Sequence, residues 1–181
     1  YLASLIQDLL YYSDIILQDS ESKTSQENLK EITAKIVTER RQALRQNNHT
    51  LHIELADEWP PMTVDRRRIE LALGAILDNA IKFTPSGGEI TLSGEQSAGE
   101  FSLTISDNGP GIAPEEMGKV FEKFYQVDPN RTGQIRGFGL GLFYARQFVR
   151  DHGGEINLES SLGHGTSVTV RLPRPALRQS D

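Results

Sequence analysis

Asn79 and Lys82 stand three residues apart, and Ala75 comes one helical turn before Asn79. An amide oxygen beside an apolar helix face can ligate a hard cation such as Mg²⁺, and a lysine one turn further on can reach phosphate oxygens. The same pair fits equally well as the solvated flank of an amphipathic helix. Further along, Asp107-Asn-Gly-Pro-Gly-Ile112 puts a carboxylate at the end of an apolar alternation, ahead of two glycines. Such a carboxylate can accept a hydrogen bond from an exocyclic amine such as adenine N6, with Gly109 and Gly111 letting the ring approach. Taken alone, the hexapeptide is better read as an ordinary Asp-Asn-Gly turn. Gly137-Phe-Gly139-Leu-Gly141-Leu opens a predicted helix, where free N–H groups and bare backbone make a phosphate cradle. Gly163-His-Gly165-Thr166 reads as a hairpin turn, and Phe121-Glu-Lys-Phe124 as either the anchor of a lid or plain core.

The elements that must position these groups follow from periodicity. Leu2, Leu5, Ile6, Leu9, Leu10, Ile16 and Leu17 predict an amphipathic helix over 1–18, and the polar run at 19–26 reads as a linker. A second helix fits 27–46, with Leu29, Ile32, Ile36, Val37 and Leu44 along one side. Leu51, Ile53 and Leu55 alternate with His52 and Glu54 as on a half-buried strand. Asp65 is the expected N-cap of a helix reaching about Thr84, whose Ile69, Leu73, Ile76, Leu77, Ala80 and Phe83 form one apolar stripe. Strands are expected near 89–93, 101–107, 155–160 and 166–172, with a helix at 139–151. The first two strands form a hairpin candidate around SGEQSAGE, and residues 108–136 look irregular. This order predicts an α+β fold, a two-layer α/β sandwich with a mostly antiparallel sheet.

With 181 residues the chain is long enough for one domain plus an appendage. It has no cysteine, which removes disulfides, thiolate nucleophiles and Cys-based zinc sites. A net charge of −6 argues against nucleic acid or an anionic membrane as a bulk partner, so an anionic ligand would have to be held locally. No apolar run approaches the ~18 residues of a membrane helix, and the opening Tyr-Leu-Ala reads as the start of an excised segment.

Taken in order, DNAIKFTP, DNGPGI, FEKFYQ, GFGLGL and GHGT resemble the N box, first glycine box, F box, second glycine box and third glycine box of the histidine-kinase-type ATPases. That family also includes gyrase, mismatch-repair and heat-shock-chaperone ATPases. HGGEI and the closing V-R-L-P add to a resemblance covering roughly residues 28–173, and its flavour is that of sensor histidine kinases. It implies a Bergerat-type ATP-binding fold, a mixed sheet covered on one face by helices. The organisation it implies is the end of a dimerisation and phosphoacceptor helix at 1–18, a linker at 19–26, the ATP-binding catalytic domain at 27–173 and a tail at 174–181.

Residue by residue, the resemblance assigns Asn79 to Mg²⁺, Lys82 and Lys123 to phosphate, and Phe83 to the wall of the adenine site. Asp107 takes adenine N6, with Gly109 and Gly111 shaping that wall. Gly137, Gly139, Leu140 and Gly141 cradle the phosphates, and Thr166 supports the adenine end. Arg131 or Arg136 is a further candidate for a phosphate contact. Two positions depart from the family pattern. Ala75 stands where Asn, or Glu in hydrolysing branches, is common, which argues against robust ATP hydrolysis. Gln126 replaces a common arginine.

The implied cofactors are ATP and Mg²⁺, with the γ-phosphoryl group passing to a histidine and then to a response regulator. None of His49, His52, His152 and His164 has the setting of a phosphoacceptor: the first two are read as surface positions, His152 as a helix cap and His164 as part of a hairpin. The acceptor is therefore expected on a helical hairpin upstream, in a homodimeric parent whose catalytic part is cytoplasmic, while this segment by itself is a monomer. A serine kinase of the same fold, a pseudokinase and a gyrase-like ATPase are the competing readings.

Overall fold

Two side-chain caps start the long helices. In the computed structural model, which describes residues 23–57, 59, 61–97, 99–127 and 137–173, Asn28 accepts from the Lys30 N–H at 2.8 Å ahead of α1 (Leu29–Gln46). Asp65 accepts from the Arg68 N–H at 3.1 Å ahead of α2 (Arg66–Phe83). Each cap satisfies a donor that the first helical turn leaves without an intrahelical partner. The expected helix at 1–18, the first part of the expected linker, Arg131, Arg136 and the tail lie outside the described residues.

Strands β1 (Ser25–Glu27), β2 (Thr50–Leu55), β3 (Met62–Val64), β4 (Glu89–Gln96), β5 (Glu100–Asp107), β6 (Glu155–Ser160) and β7 (Thr166–Pro173) form two sheets. The larger runs β2-β4-β5-β7-β6; β2 and β4 are parallel, and its other pairs are antiparallel. Its inner face carries Ile90, Leu92, Leu103, Ile105, Val168 and Val170, all buried. The opposite face carries Ser and Thr, with hydroxyl pairs Thr104–Thr169 at 2.9 Å and Ser106–Ser167 at 2.8 Å. The helical layer consists of α2 flanked by α1 and by α4 (Gly141–Asp151). Ile69, Leu73, Ile76 and Leu77 of α2 are buried, each stabilising the fold by about 1.5–3 kcal/mol over an exposed position. Mixed sheet and helical layer together make the α+β sandwich expected from the sequence.

The structure also departs from the periodicity. Ser25–Glu27, across the end of the stretch read as linker and the first residue of the expected helix, pairs antiparallel with Met62–Val64 in a small second sheet. Three-residue strands are too short to leave a periodic signature. The β4–β5 hairpin is tighter than its composition suggests, because Ser93–Gln96 remain in the ladder. Gly94 mimics a turn residue, yet a Cβ there would lie 2.3 Å from Trp59 Cζ2. The glycine makes room for that indole, which packs on Phe101 with ring centroids 5.2 Å apart. Within 108–127 a single turn, α3 (Pro114–Met117), is helical. His49 is half-buried rather than a surface residue, with Nε2 3.1 Å from the Thr84 carbonyl.

Candidate functional site

A cavity of about 290 Å³ opens between α2, the adjoining ends of β5 and β7, and the segment entering α4. Asn79, Lys82 and Phe83 line it from α2, and Asp107 and Thr166 from a directly paired position of the sheet. Gly111 borders it, as do Gly137, Gly139, Leu140 and Gly141. Residues spread from Ala75 to Val168 therefore converge on one space, because α2 crosses the sheet between β2 and β4 while α4 leads into β6.

Two expected residues stand off the wall. Gly109 acts on Asp107, donating its N–H to Oδ1 at 2.8 Å. Lys123 does not line the cavity; its Nζ lies 4.7 Å over the Phe143 ring. Lys82 Nζ, by contrast, sits 4.5 Å over Phe83, inside the lining.

Burial pushes the Asp107 carboxyl above its ordinary value, against the N–H groups of Gly109 and Thr166, which favour the ionised form. An acceptor held with this little hydration is well suited to a ligand donor. The glycines beside it serve the backbone as well as the cavity. Gly111 has φ +70°, and a Cβ there would fall 2.0 Å from the Ser161 carbonyl oxygen. Gly139, at φ +69°, lets the segment before α4 pass against Tyr125, whose carbonyl oxygen would lie 2.3 Å from a Cβ.

The aromatic motif divides. Phe121 is buried under the Arg146 guanidinium, which lies 4.8 Å from its ring and donates to its carbonyl at 3.1 Å. Phe124 is 65% exposed, at φ +63°, with its N–H donating to the Gly139 carbonyl at 3.0 Å. Gln126 donates to the Gly137 carbonyl at 2.6 Å, so the residue replacing the common arginine ties two parts of the rim together.

Ala75 lines the cavity one turn before Asn79, leaving that part of the wall apolar. Asp78 also lines it, and Arg40 of α1 holds both its oxygens: Nε donates to Oδ1 at 2.7 Å and Nη2 to Oδ2 at 2.8 Å. Gly74 makes this reach possible, since a Cβ there would meet Arg40 Nη2 at 2.5 Å. Neither Asp78 nor Ser160, which hydrogen-bonds Thr166, stands out in the sequence; Asp78 reads as an ordinary helix charge and Ser160 as a strand end.

Residues 64–176 match the family described as histidine kinase-, DNA gyrase B-, and HSP90-like ATPases. The chain belongs to this ATPase family. Among its curated relatives is the sensor protein SrrB of Staphylococcus aureus (strain MRSA252), 42% identical over 113 residues, which are 62% of this chain and 19% of SrrB. The chain thus spans about a fifth of the length of the relatives it matches. Among solved structures, a mycobacterial sensor histidine kinase, MprB, superimposes with TM-score 0.72 at 27% identity, covering 84% of this chain and 98% of that one. The catalytic domain of histidine kinase ThkA in a nucleotide-free form gives TM-score 0.73 at 26% identity, covering 84% and 96%. Within the family, this ATPase-fold chain is of the sensor-histidine-kinase catalytic-domain type.

Proposed function

We propose that this domain binds ATP with Mg²⁺ and presents the γ-phosphoryl group to a histidine outside the chain, for relay to a response regulator. The cavity carries the reading: a half-buried acceptor, Asp107, and the polar pair Asn79 and Lys82 border the same space, with the glycine backbone before α4 between them. Asp107 accepts from adenine N6, Phe83 lines the base, and Lys82 with the N–H groups around Gly137–Gly141 takes the phosphates. Asn79 supplies an amide oxygen to the cation. Among the described residues no cluster of acidic or histidine side chains could hold a metal alone. That suits Mg²⁺ arriving with the nucleotide, because this ion keeps several waters and leans on phosphate oxygens. Lys123, over Phe143, would reach the phosphates only by leaving that ring.

Phosphoryl transfer asks the protein mainly to position its reactants and stabilise charge. The domain's share is to hold the nucleotide; the in-line nucleophile comes from an upstream helical hairpin, its carboxy-terminal end at 1–18, joined through a linker to a catalytic domain ending near 173. The parent is a homodimer whose catalytic part lies in the cytoplasm, and no described helix is long and apolar enough to cross a membrane. Ala75 favours a second reading, a nucleotide-binding module with weak or no transfer, since it offers neither metal ligand nor base.

Calorimetric titration with Mg·ADP tests the site. Saturable binding is expected, weakened about 100-fold by Asp107→Asn, the scale of a lost hydrogen bond to a charged acceptor. A wild-type chain that binds no nucleotide would overturn the proposal. Labelled phosphate appearing on the upstream histidine of a longer chain separates kinase from binding module.

A further inference from the structure

Ser160 has one hydroxyl proton and three hydrogen-bond partners. Its Oγ lies 2.7 Å from the Gly165 carbonyl, which can only accept, so the Ser160 proton is committed there. The Ile112 N–H donates to the same Oγ at 2.8 Å. The third partner is Thr166 Oγ1 at 2.9 Å. With the serine proton already used, the proton in that contact belongs to Thr166. Thr166 therefore has only lone pairs left for a ligand.

Thr166 lines the cavity and is paired across the sheet with Asp107, whose carboxylate also accepts. We infer that Ser160 is a positioning residue for base specificity: by taking the Thr166 hydroxyl proton, it makes the base end of the cavity an all-acceptor surface. That surface suits a 6-aminopurine, whose exocyclic nitrogen donates, and rejects a 6-oxopurine, whose oxygen would face Asp107 and Thr166 lone pair to lone pair. The inference rests on the reading of the cavity as a nucleotide site.

Mg·ADP and Mg·IDP share their phosphates and differ at the base in the C6 substituent and at N1, a lone pair in the first and an N–H in the second, so the change in their affinity ratio between the wild-type chain and Ser160 variants reads the effect. The wild-type chain is expected to prefer ADP clearly. In Ser160→Ala the Thr166 hydroxyl is free to turn and donate, and the preference should narrow by roughly five- to tenfold, the scale of one neutral hydrogen bond. Ser160→Thr retains the hydroxyl and should keep the wild-type ratio. If the alanine chain does not fold by circular dichroism, Ser160→Cys conserves volume with a much weaker acceptor and should narrow the ratio in the same direction. Equal weakening of both nucleotides with an unchanged ratio would mean that Ser160 merely supports the loop, and would overturn the inference. So would a wild-type chain that binds ADP and IDP alike, although the nucleotide site itself would then stand. A wild-type chain that binds neither removes the site and the inference together.

Discussion

Asp107 shows how a functional group can cost the fold that carries it. Burial raises its carboxyl above the ordinary value, so the folded chain holds that proton more tightly than the unfolded chain does. The stability linked to the proton is fully present below the ordinary carboxylate range and is lost as pH rises through the raised value. At neutral pH the ionised group is therefore a liability to the empty domain. Asp107→Asn keeps an oxygen that can accept from Gly109 and removes the half-buried charge. Thermal unfolding at pH 7 should be higher by about 2 °C, with the gap closing as pH falls into the carboxylate range. A lower melting temperature at pH 7 would contradict this. Asp107 was legible as a candidate through the order of the boxes along the chain, since its hexapeptide alone reads as an ordinary turn. Its burial was not, since that depends on β7 pairing alongside it.

At the level of elements, His152 fastens α4 to the start of α2. Its Nδ1 lies 2.6 Å from the Phe148 carbonyl, and its Nε2 accepts the Asp65 N–H at 2.8 Å. A carbonyl only accepts and an N–H only donates, so the ring is neutral with its proton on Nδ1. Arg68 adds an ion pair to Asp151 at 3.1 Å across the same junction. His152→Ala leaves the Asp65 N–H without this partner and should destabilise the chain by about 1–2 kcal/mol, read as a lower urea midpoint. An unchanged midpoint would mean that water replaces the ring. Placing His152 at a helix end was within reach of the sequence. Its contact with a residue far earlier in the chain appears only when α2 and α4 pack together.

For the whole molecule, the arrangement supports binding more than turnover. Ala75 presents no base to water, and the Asp78 carboxylate is engaged by Arg40. Incubated alone with Mg·ATP, the chain should release phosphate far more slowly than a dedicated ATPase. A release rate at or above the enzymatic median of about 10 per second would show that a base has been overlooked. The Arg40–Asp78 pair spans α1 and α2, and nothing in the spacing of the two residues links them.

The sequence by itself determined the long amphipathic helices, the alternating strands and the glycine-rich motifs, because 3.6-residue and two-residue periods and unusual backbone demands are written locally. It also determined the family, since the boxes keep their order along the chain. Tertiary structure alone decided which of those residues meet. It sets Gly109 behind Asp107, holds Lys123 against Phe143, uses Gly94 for Trp59, and makes Ser160 the acceptor for Thr166. The physical reason is that side-chain direction and proton ownership depend on neighbours brought in from distant segments. Such neighbours leave no period in the chain, and a three-residue strand such as β1 or β3 leaves too little of one to read.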